Sequence, residues 1–347
     1  MNICKILLTI SMALMLEVQA NPETNSHINS EIEILELDVI SYENFIQNDP
    51  QALITLNTAL SEKGIVGIKG IPEYLEKAKA FIQSAQEFNH LPEDIKLKCS
   101  PNRDLGECFL GYEVGKENFK RPDGKWVTDE LKVSYYALVP NSPLNKWPLD
   151  MDLKTPYQEL GDVMSKATEA VLQKINVLND GLSVNGVPKV GRMLYYQKNN
   201  DTNTDNPFWC GSHCDHGLFT ALLPASYFLD GQQIEEPIEA GLFVKTTKDG
   251  TFKKVIANDP DVLLFQVGEF SQLISNDKIK ATEHRVHKAQ GPIERYTMAL
   301  FVDLPMDAVI YSTSELTNDE RYGNGPGCSY KQWHEASLAR YLVKDEN

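Results

Sequence analysis

A basic face is the first thing missing from this sequence. Acidic residues outnumber basic ones by 49 to 33 and the formal net charge is −16, which excludes the Lys/Arg stripe that a nucleic-acid footprint needs and favours solubility instead. No hydrophobic run is long enough to span a bilayer comfortably. The apolar stretch Ile6–Leu16 is eleven residues, against the ~20 of a spanning helix. There is no twin-arginine pair, no internal repeat and no low-complexity tract. Cysteine is sparse and unpatterned: no CxxC spacing occurs, and apart from Cys4 the chain holds Cys99, Cys108, Cys210, Cys214 and Cys328. An odd count without spacing does not indicate a disulfide framework. Cys99 and Cys108 could pair across a short loop in an oxidising compartment, but buried free thiols are the expected state.

What is present begins with the N-terminus. Lys5 precedes the Ile6–Leu16 run, and Glu17-Val18-Gln19-Ala20 then offers a small-residue cleavage site before polar Asn21-Pro22. Residues 1–20 therefore read as a secretory signal peptide, with export to a periplasmic or extracellular space and no membrane contact after cleavage; without a working signal the protein stays cytoplasmic. The 347 residues contain 42% hydrophobic and 24% charged residues, an ordinary globular composition with material for a large core.

After a polar lead over 21–30, Glu31–Asp38 reads as a first strand. Asn48-Asp49-Pro50 then opens a helix carrying Leu53, Leu56 and Leu60 and closed by Gly64. Ile65–Lys69 is a strand. A second helix places Leu75, Ala78, Ile82, Ala85 and Phe88 on one face, and residues 91–150 mix turn formers with aromatics without a readable period. Thr155-Pro156 opens a long helix with Tyr157, Leu160, Met164, Ala167, Val171, Ile175 and Leu178 in phase until Gly181. Beyond it the pattern changes to short β-rich runs at Gly191–Gln197, Gly217–Leu223, Gly241–Thr246, Val262–Gln266, Gln272–Ser275, Glu283–Lys288 and Thr297–Asp303, and a helix from Ser329 with Trp333, Tyr341 and Leu342 closes the chain. Helices gathered before many short strands predict an α+β fold on an antiparallel sandwich or barrel.

Three residues stand out within this β-rich half. If 213–216 lie in a strand, His213 and Asp215 share a face, while Cys214 and His216 point away. His284 arrives from a later strand end. Two imidazoles and a carboxylate with open positions are the donor set of non-haem iron(II) oxygenases. A zinc site drawing on Cys214, His216 or His287 is the rival reading.

The ordered series Tyr195-Tyr196, His213-Cys214-Asp215, Gly241-Leu242-Phe243-Val244, Gly268-Glu269, Ser275-Asn276, His284-Arg285-Val286 and Arg295-Tyr296-Thr297 resembles the iron(II)/2-oxoglutarate-dependent dioxygenases of the isopenicillin N synthase-like branch. Glu62–Gly67, Leu91-Pro92-Glu93 and Gly111-Tyr112 resemble that family's leading region. The resemblance implies a double-stranded β-helix (jelly-roll) core with an N-terminal helical region packed on it. Its divisions would fall at 21–180 for the N-terminal region, 181–310 for the core and 311–347 for a C-terminal helical extension. It also implies iron(II) on His213, Asp215 and His284, and 2-oxoglutarate as co-substrate gripped by Arg295 and Thr297 with Tyr196 in the same pocket. O2 is the oxidant, ascorbate a candidate addition and a small molecule the primary substrate. The implied reaction is hydroxylation, desaturation or cyclisation, coupled to conversion of 2-oxoglutarate to succinate. Two departures bear on the substrate: Gly268-Glu269 replaces the family's Gly-Asp turn, and Gln197 stands where a proline often follows the paired tyrosines. A third, the long segment Pro224–Ala240, reads as a flap at the site mouth, and the substrate pocket is expected around Phe109–Tyr136. An oxidase that does without 2-oxoglutarate, and a non-catalytic exported binding protein, are the alternatives.

The export reading yields a direct test. N-terminal sequencing of protein from cell fractions should find a mature chain starting near Asn21, and an intact Met1 in the cytoplasm would overturn it.

Overall fold

Ten residues of one strand, Ile293–Val302, are the axis of the fold. In this computed structural model the strand pairs with Phe219–Leu222 on one side and Lys189–Tyr196 on the other. Strand side chains alternate faces, so its even and odd positions meet different surroundings. Tyr296, Met298 and Leu300 join the large hydrophobic core with the helices, whereas Arg295, Thr297, Ala299 and Phe301 line a cleft. The structure describes residues 32–102, 109–120, 125–175, 178, 187, 189–198 and 206–341. The signal segment, the lead over 21–30, Cys108, Gly181 and Leu342 lie outside them.

The main sheet runs in the order Val39–Ser41, Ile65–Lys69, Val262–Val267, Phe219–Leu222, Ile293–Val302, Lys189–Tyr196, Lys132–Val139 and Gly111–Val114, with the hairpin Ser226–Leu229 and Gln232–Ile234 attached to the axial strand. A second sheet orders Ile34–Leu35, Phe252–Val255, Gly241–Lys245, His284–His287 and Phe208–His213. The cleft between them is lined by Leu194 and Leu222 of the first sheet and by Leu242 and Val286 of the second. This is the expected jelly-roll core in an α+β chain. Ile32–Asn347 forms one compact unit, and strands from before residue 180 sit in the main sheet. The boundaries expected near 180 and 310 thus separate stretches of sequence within one packed body.

The helices follow from local chemistry with some corrections. Pro50–Glu62 begins at Asp49, whose carboxylate accepts a hydrogen bond from the Ala52 amide at 2.8 Å, with proline in the first turn. Gly64 after it has φ 75°, and an added Cβ would lie 2.4 Å from the Thr282 hydroxyl, so a residue with a side chain is excluded there. Helix Tyr74–Asn89 buries Tyr74, Ala78, Phe81, Ala85 and Phe88. The aromatics Tyr74 and Phe81 take the inward phase in place of the expected Leu75 and Ile82, which end half-buried. Lys154–Leu172 stops short of the expected end, and Ile175 is buried beyond it without being helical.

Gln272–Ser275, expected as a strand, belongs to the helix Glu269–Ser275. Four residues are too few to separate a period of two from one of 3.6, and the buried pair Phe270 and Leu273 has helical spacing. The first strand is confined to Ile34–Leu35. Unreadable residues 91–150 supply two strands of the main sheet, Gly111–Val114 and Lys132–Val139, whose inward positions carry charge. Four cysteines, Cys99, Cys210, Cys214 and Cys328, are free thiols.

The chain's last helix, Tyr330–Tyr341, is tied to the core through Arg321. Its guanidinium donates to both oxygens of Glu269 at 2.6 and 2.9 Å and lies 4.0 Å from the Trp333 ring. Arg321 is 3% and Glu269 8% exposed, so removing one partner strands a buried charge. Arg321→Ala should lose about 3–5 kcal/mol of unfolding free energy in urea titrations; a loss under about 1 kcal/mol would show that the pair is not structural.

Candidate active site

Register alone brings the two histidines together. His284, first residue of its strand, is the cross-strand partner of His213, last residue of Phe208–His213, and the ring centroids are 4.2 Å apart. Asp215 lies past the strand end, so face alternation is not what delivers its carboxylate. The loop after His213 does, held by the Thr220 hydroxyl and the Gln266 amide, which donate to Asp215 Oδ2 at 2.5 and 3.4 Å. Asp215 Oδ1 then stands 3.7 Å from His213 Nε2 and 3.9 Å from His284 Nε2. One ligand atom from each residue falls within 4.8 Å of the others, and this is the one such cluster of His, Cys, Asp and Glu among the described residues.

Their electronic state suits a cation. Each Nδ1 lies 2.9 Å from a backbone carbonyl, that of Gly211 for His213 and that of Thr282 for His284. Those contacts place the proton on Nδ1 and leave the Nε2 lone pairs facing Asp215. Burial, reinforced by His213, pushes the His284 imidazole down to about 4, so it is neutral at pH 7. Burial would raise the Asp215 carboxyl, but the two imidazoles and the Thr220 hydroxyl outweigh it and hold it below its ordinary value. The rival zinc ligands turn elsewhere: His216 Nε2 meets His334 Nδ1 at 2.9 Å, and His287 stacks on Phe243 at 4.0 Å.

Arg295 enters the same cleft from the axial strand, 3% exposed. Its Nε donates to the Tyr227 hydroxyl at 3.1 Å and its guanidinium lies 4.9 Å from the Tyr196 ring, so Tyr196 contributes its face. Tyr227 in turn donates to Glu236, which pairs with Lys254 at 3.2 Å. Arg295 Nη1 is buried with no partner among the described residues. An orphaned buried N–H is costly and marks the place where an anion fits. Thr297 differs from expectation, because its hydroxyl donates to the Leu223 carbonyl. As placed, it presents only lone pairs to the cleft.

Residues 189–304 match the model of the 2OG-Fe(II) oxygenase superfamily. The stretch that carries the three ligand residues and Arg295 is thus a domain of that superfamily. Among its relatives, DMR6-LIKE OXYGENASE 2 of Arabidopsis thaliana is 26% identical, with 76% of this chain and 71% of that protein aligned. A full-length Neurospora crassa protein, solved with alpha-KG and thymine, superposes with a TM-score of 0.66 at 21% identity over 90% of this chain and 100% of that one. JOX2, solved with 2OG, Fe and JA, gives 0.64 at 19% over 91% and 92%. The solved structures establish the fold; the family match carries the class, and this oxygenase is an oxidoreductase that uses iron(II) and 2-oxoglutarate.

The oxygenase's cleft also holds groups that sequence reasoning missed. Tyr227, Thr220 and Gln266 orient ligands yet carry no motif, and only their cross-strand positions reveal them. The Pro224–Ala240 segment is no free flap: Tyr227 pairs with Arg295 in the sheet, and Glu236 is ion-paired with Lys254. Cys210 lines the cleft and accepts from Lys132 Nζ at 3.5 Å. Lys132 also pairs with Asp129 and with Glu117 at 2.7 Å, and Arg192 reaches Glu117 at 2.8 Å.

Burial would raise the Glu117 carboxyl, but Arg192 and Lys132 hold it well below the usual range. A depressed carboxyl stabilises the fold fully above the unfolded pKa, about 4.3, and loses that contribution as pH falls through the folded value. The stability gap between wild type and Glu117→Gln should therefore be constant from pH 7 to 5 and shrink below about pH 4. Denaturant titrations across pH check this, and a gap that widens with acid would contradict it.

Proposed function

We propose that this dioxygenase oxidises a small, exported-compartment organic substrate, with iron(II) on His213, Asp215 and His284 and the distal carboxylate of 2-oxoglutarate on Arg295. The observation that carries the reading is the convergence in one cleft of three ligand atoms and a buried guanidinium nitrogen that has no hydrogen-bond partner among the described residues. Arg295 supplies a charge-assisted bond over the Tyr196 face, and Leu222, Leu242, Val286 and Phe301 exclude water. O2 would supply the oxidising equivalents at the bound iron, two electrons coming from 2-oxoglutarate, which leaves as succinate and CO2, and two from the primary substrate. A small organic substrate is supported by the neighbours solved with thymine and with JA. Export rests on the N-terminal pattern. The oxidase and binding-protein alternatives draw no support from relatives such as the 2-oxoglutarate-dependent dioxygenase gloF of Glarea lozoyensis.

Iron-loaded protein without oxygen should develop a weak visible charge-transfer band on adding 2-oxoglutarate. Arg295→Ala should need roughly 10- to 150-fold more 2-oxoglutarate to reach it, the equivalent of about 1.5–3 kcal/mol for a hydrogen bond to a charged group. His284→Ala should lose stoichiometric iron. No band in wild type, or zinc that survives loss of His284, would overturn the reading.

A further inference from the structure

The cleft has a second cationic end. On the sheet face that carries Arg295, the register places Arg192 beside Ala299 and Tyr136, with Lys132 beside Tyr196. Arg192 and Arg295 are thus four residues apart along the paired strands, about 13 Å. Arg192 and Lys132 line both the 530 Å³ cleft of the iron ligands and an adjoining 200 Å³ cavity that reaches Glu117, Ser134 and Tyr136.

The hydrogen bonds around Arg192 leave a specific vacancy. Its Nη2 donates to Glu117 at 2.8 Å and to Ser134 Oγ at 2.7 Å, and Nε donates to Ser134 Oγ at 3.0 Å. Both N–H bonds of Nη2 and the one of Nε are therefore used. Nη1 is not among the buried atoms and makes no hydrogen bond to the described residues. The Ser134 hydroxyl accepts twice and donates to none of them. Glu117 accepts from Arg192, Lys132 and the Tyr136 hydroxyl. What this corner offers a ligand is donors only, the Nη1 N–H bonds and the Ser134 O–H, so it suits an acceptor oxygen.

Charge decides between an anionic and a neutral acceptor. Lys132 and Arg192 are balanced by Glu117 and Asp129 within ion-pair distance. At the other end, the charges of iron(II), the 2-oxoglutarate dianion, Asp215 and Arg295 also sum to zero. An anionic substrate would add an uncompensated buried charge, whereas a neutral carbonyl would not. We infer that Arg192, aligned by Ser134 and Glu117, is a specificity residue that receives a carbonyl oxygen of an uncharged primary substrate. The Tyr136 ring, 4.9 Å from the guanidinium and packed edge-on against Phe109 at 5.2 Å, walls that corner.

This inference rests on the proposed function, and the test separates the two. Anaerobic iron(II)/2-oxoglutarate protein is titrated with benzamide and thymine as neutral carbonyl probes and with benzoate as the matched carboxylate, read by perturbation of the charge-transfer band. At least one neutral probe should perturb it at concentrations tenfold or more below benzoate. Arg192→Lys, which keeps the charge and can still pair with Glu117 but has no Nη1, should need at least tenfold more neutral probe while its half-saturating 2-oxoglutarate stays at the wild-type value. Ser134→Ala should shift the same way and carries the test if Arg192→Lys does not fold. Tighter binding of benzoate, no response to either neutral probe, or wild-type probe binding in the variants would overturn the role of Arg192. Absence of the band in wild type would instead overturn the proposed function.

Discussion

The site depends on the alternation of one buried strand. Ile293–Val302 is buried on both faces, yet its faces do opposite work: Tyr296, Met298 and Leu300 fill the helix-covered core, and Arg295 and Thr297 stand in the cleft. A register slip of one residue would put a guanidinium into the aromatic core and a tyrosine where the co-substrate belongs. Paired strands on each side lock the phase, with Tyr196 and Tyr227 both fixed opposite Arg295. The same hydrogen-bonded ladders that build the core thereby aim the cleft.

The second sheet supplies the metal ligands from a strand end and the loop beyond it. His213 and His284 face each other because their strands pair there, and Asp215 joins them because the Thr220 and Gln266 side chains reach across from the main sheet. Donors from one sheet thus hold a ligand carried by the other. Each imidazole is fixed by a backbone carbonyl at Nδ1, so tautomer and orientation are set before any cation binds.

Charge is buried in this cleft at both ends, and compensation differs between them. Around Lys132 and Arg192 the carboxylates of Glu117 and Asp129 complete the balance inside the protein. Around Arg295 the nearest carboxylate, Glu236, is reached only through Tyr227 and already serves Lys254. Desolvation makes the second arrangement costly unless a ligand completes it. The end that is incomplete suits a charged co-substrate, and the end that is complete is where we infer an uncharged primary substrate.

Much of this was legible in the residues themselves. The helix at Pro50 announces itself through Asp49 and proline, the short β-rich runs fix an antiparallel core, and the triad with Arg295 appears as an ordered series, because each depends on chemistry within a few residues. The phase of helix Tyr74–Asn89, the helical state of Glu269–Ser275 and the strands within 91–150 did not appear, since local windows there fit two periods or carry charge at inward positions. Tyr227, Thr220, Gln266 and the Lys132–Arg192 corner were invisible for a deeper reason. Their roles are set by neighbours across strands or across the cleft, up to 78 residues away as with Lys132 and Cys210, and a single sequence encodes no partner for a buried polar side chain until the sheets close around it. The sequence by itself determined which residues could hold a metal and a carboxylate; only the closed pair of sheets decided which buried charges are balanced and which still need a ligand.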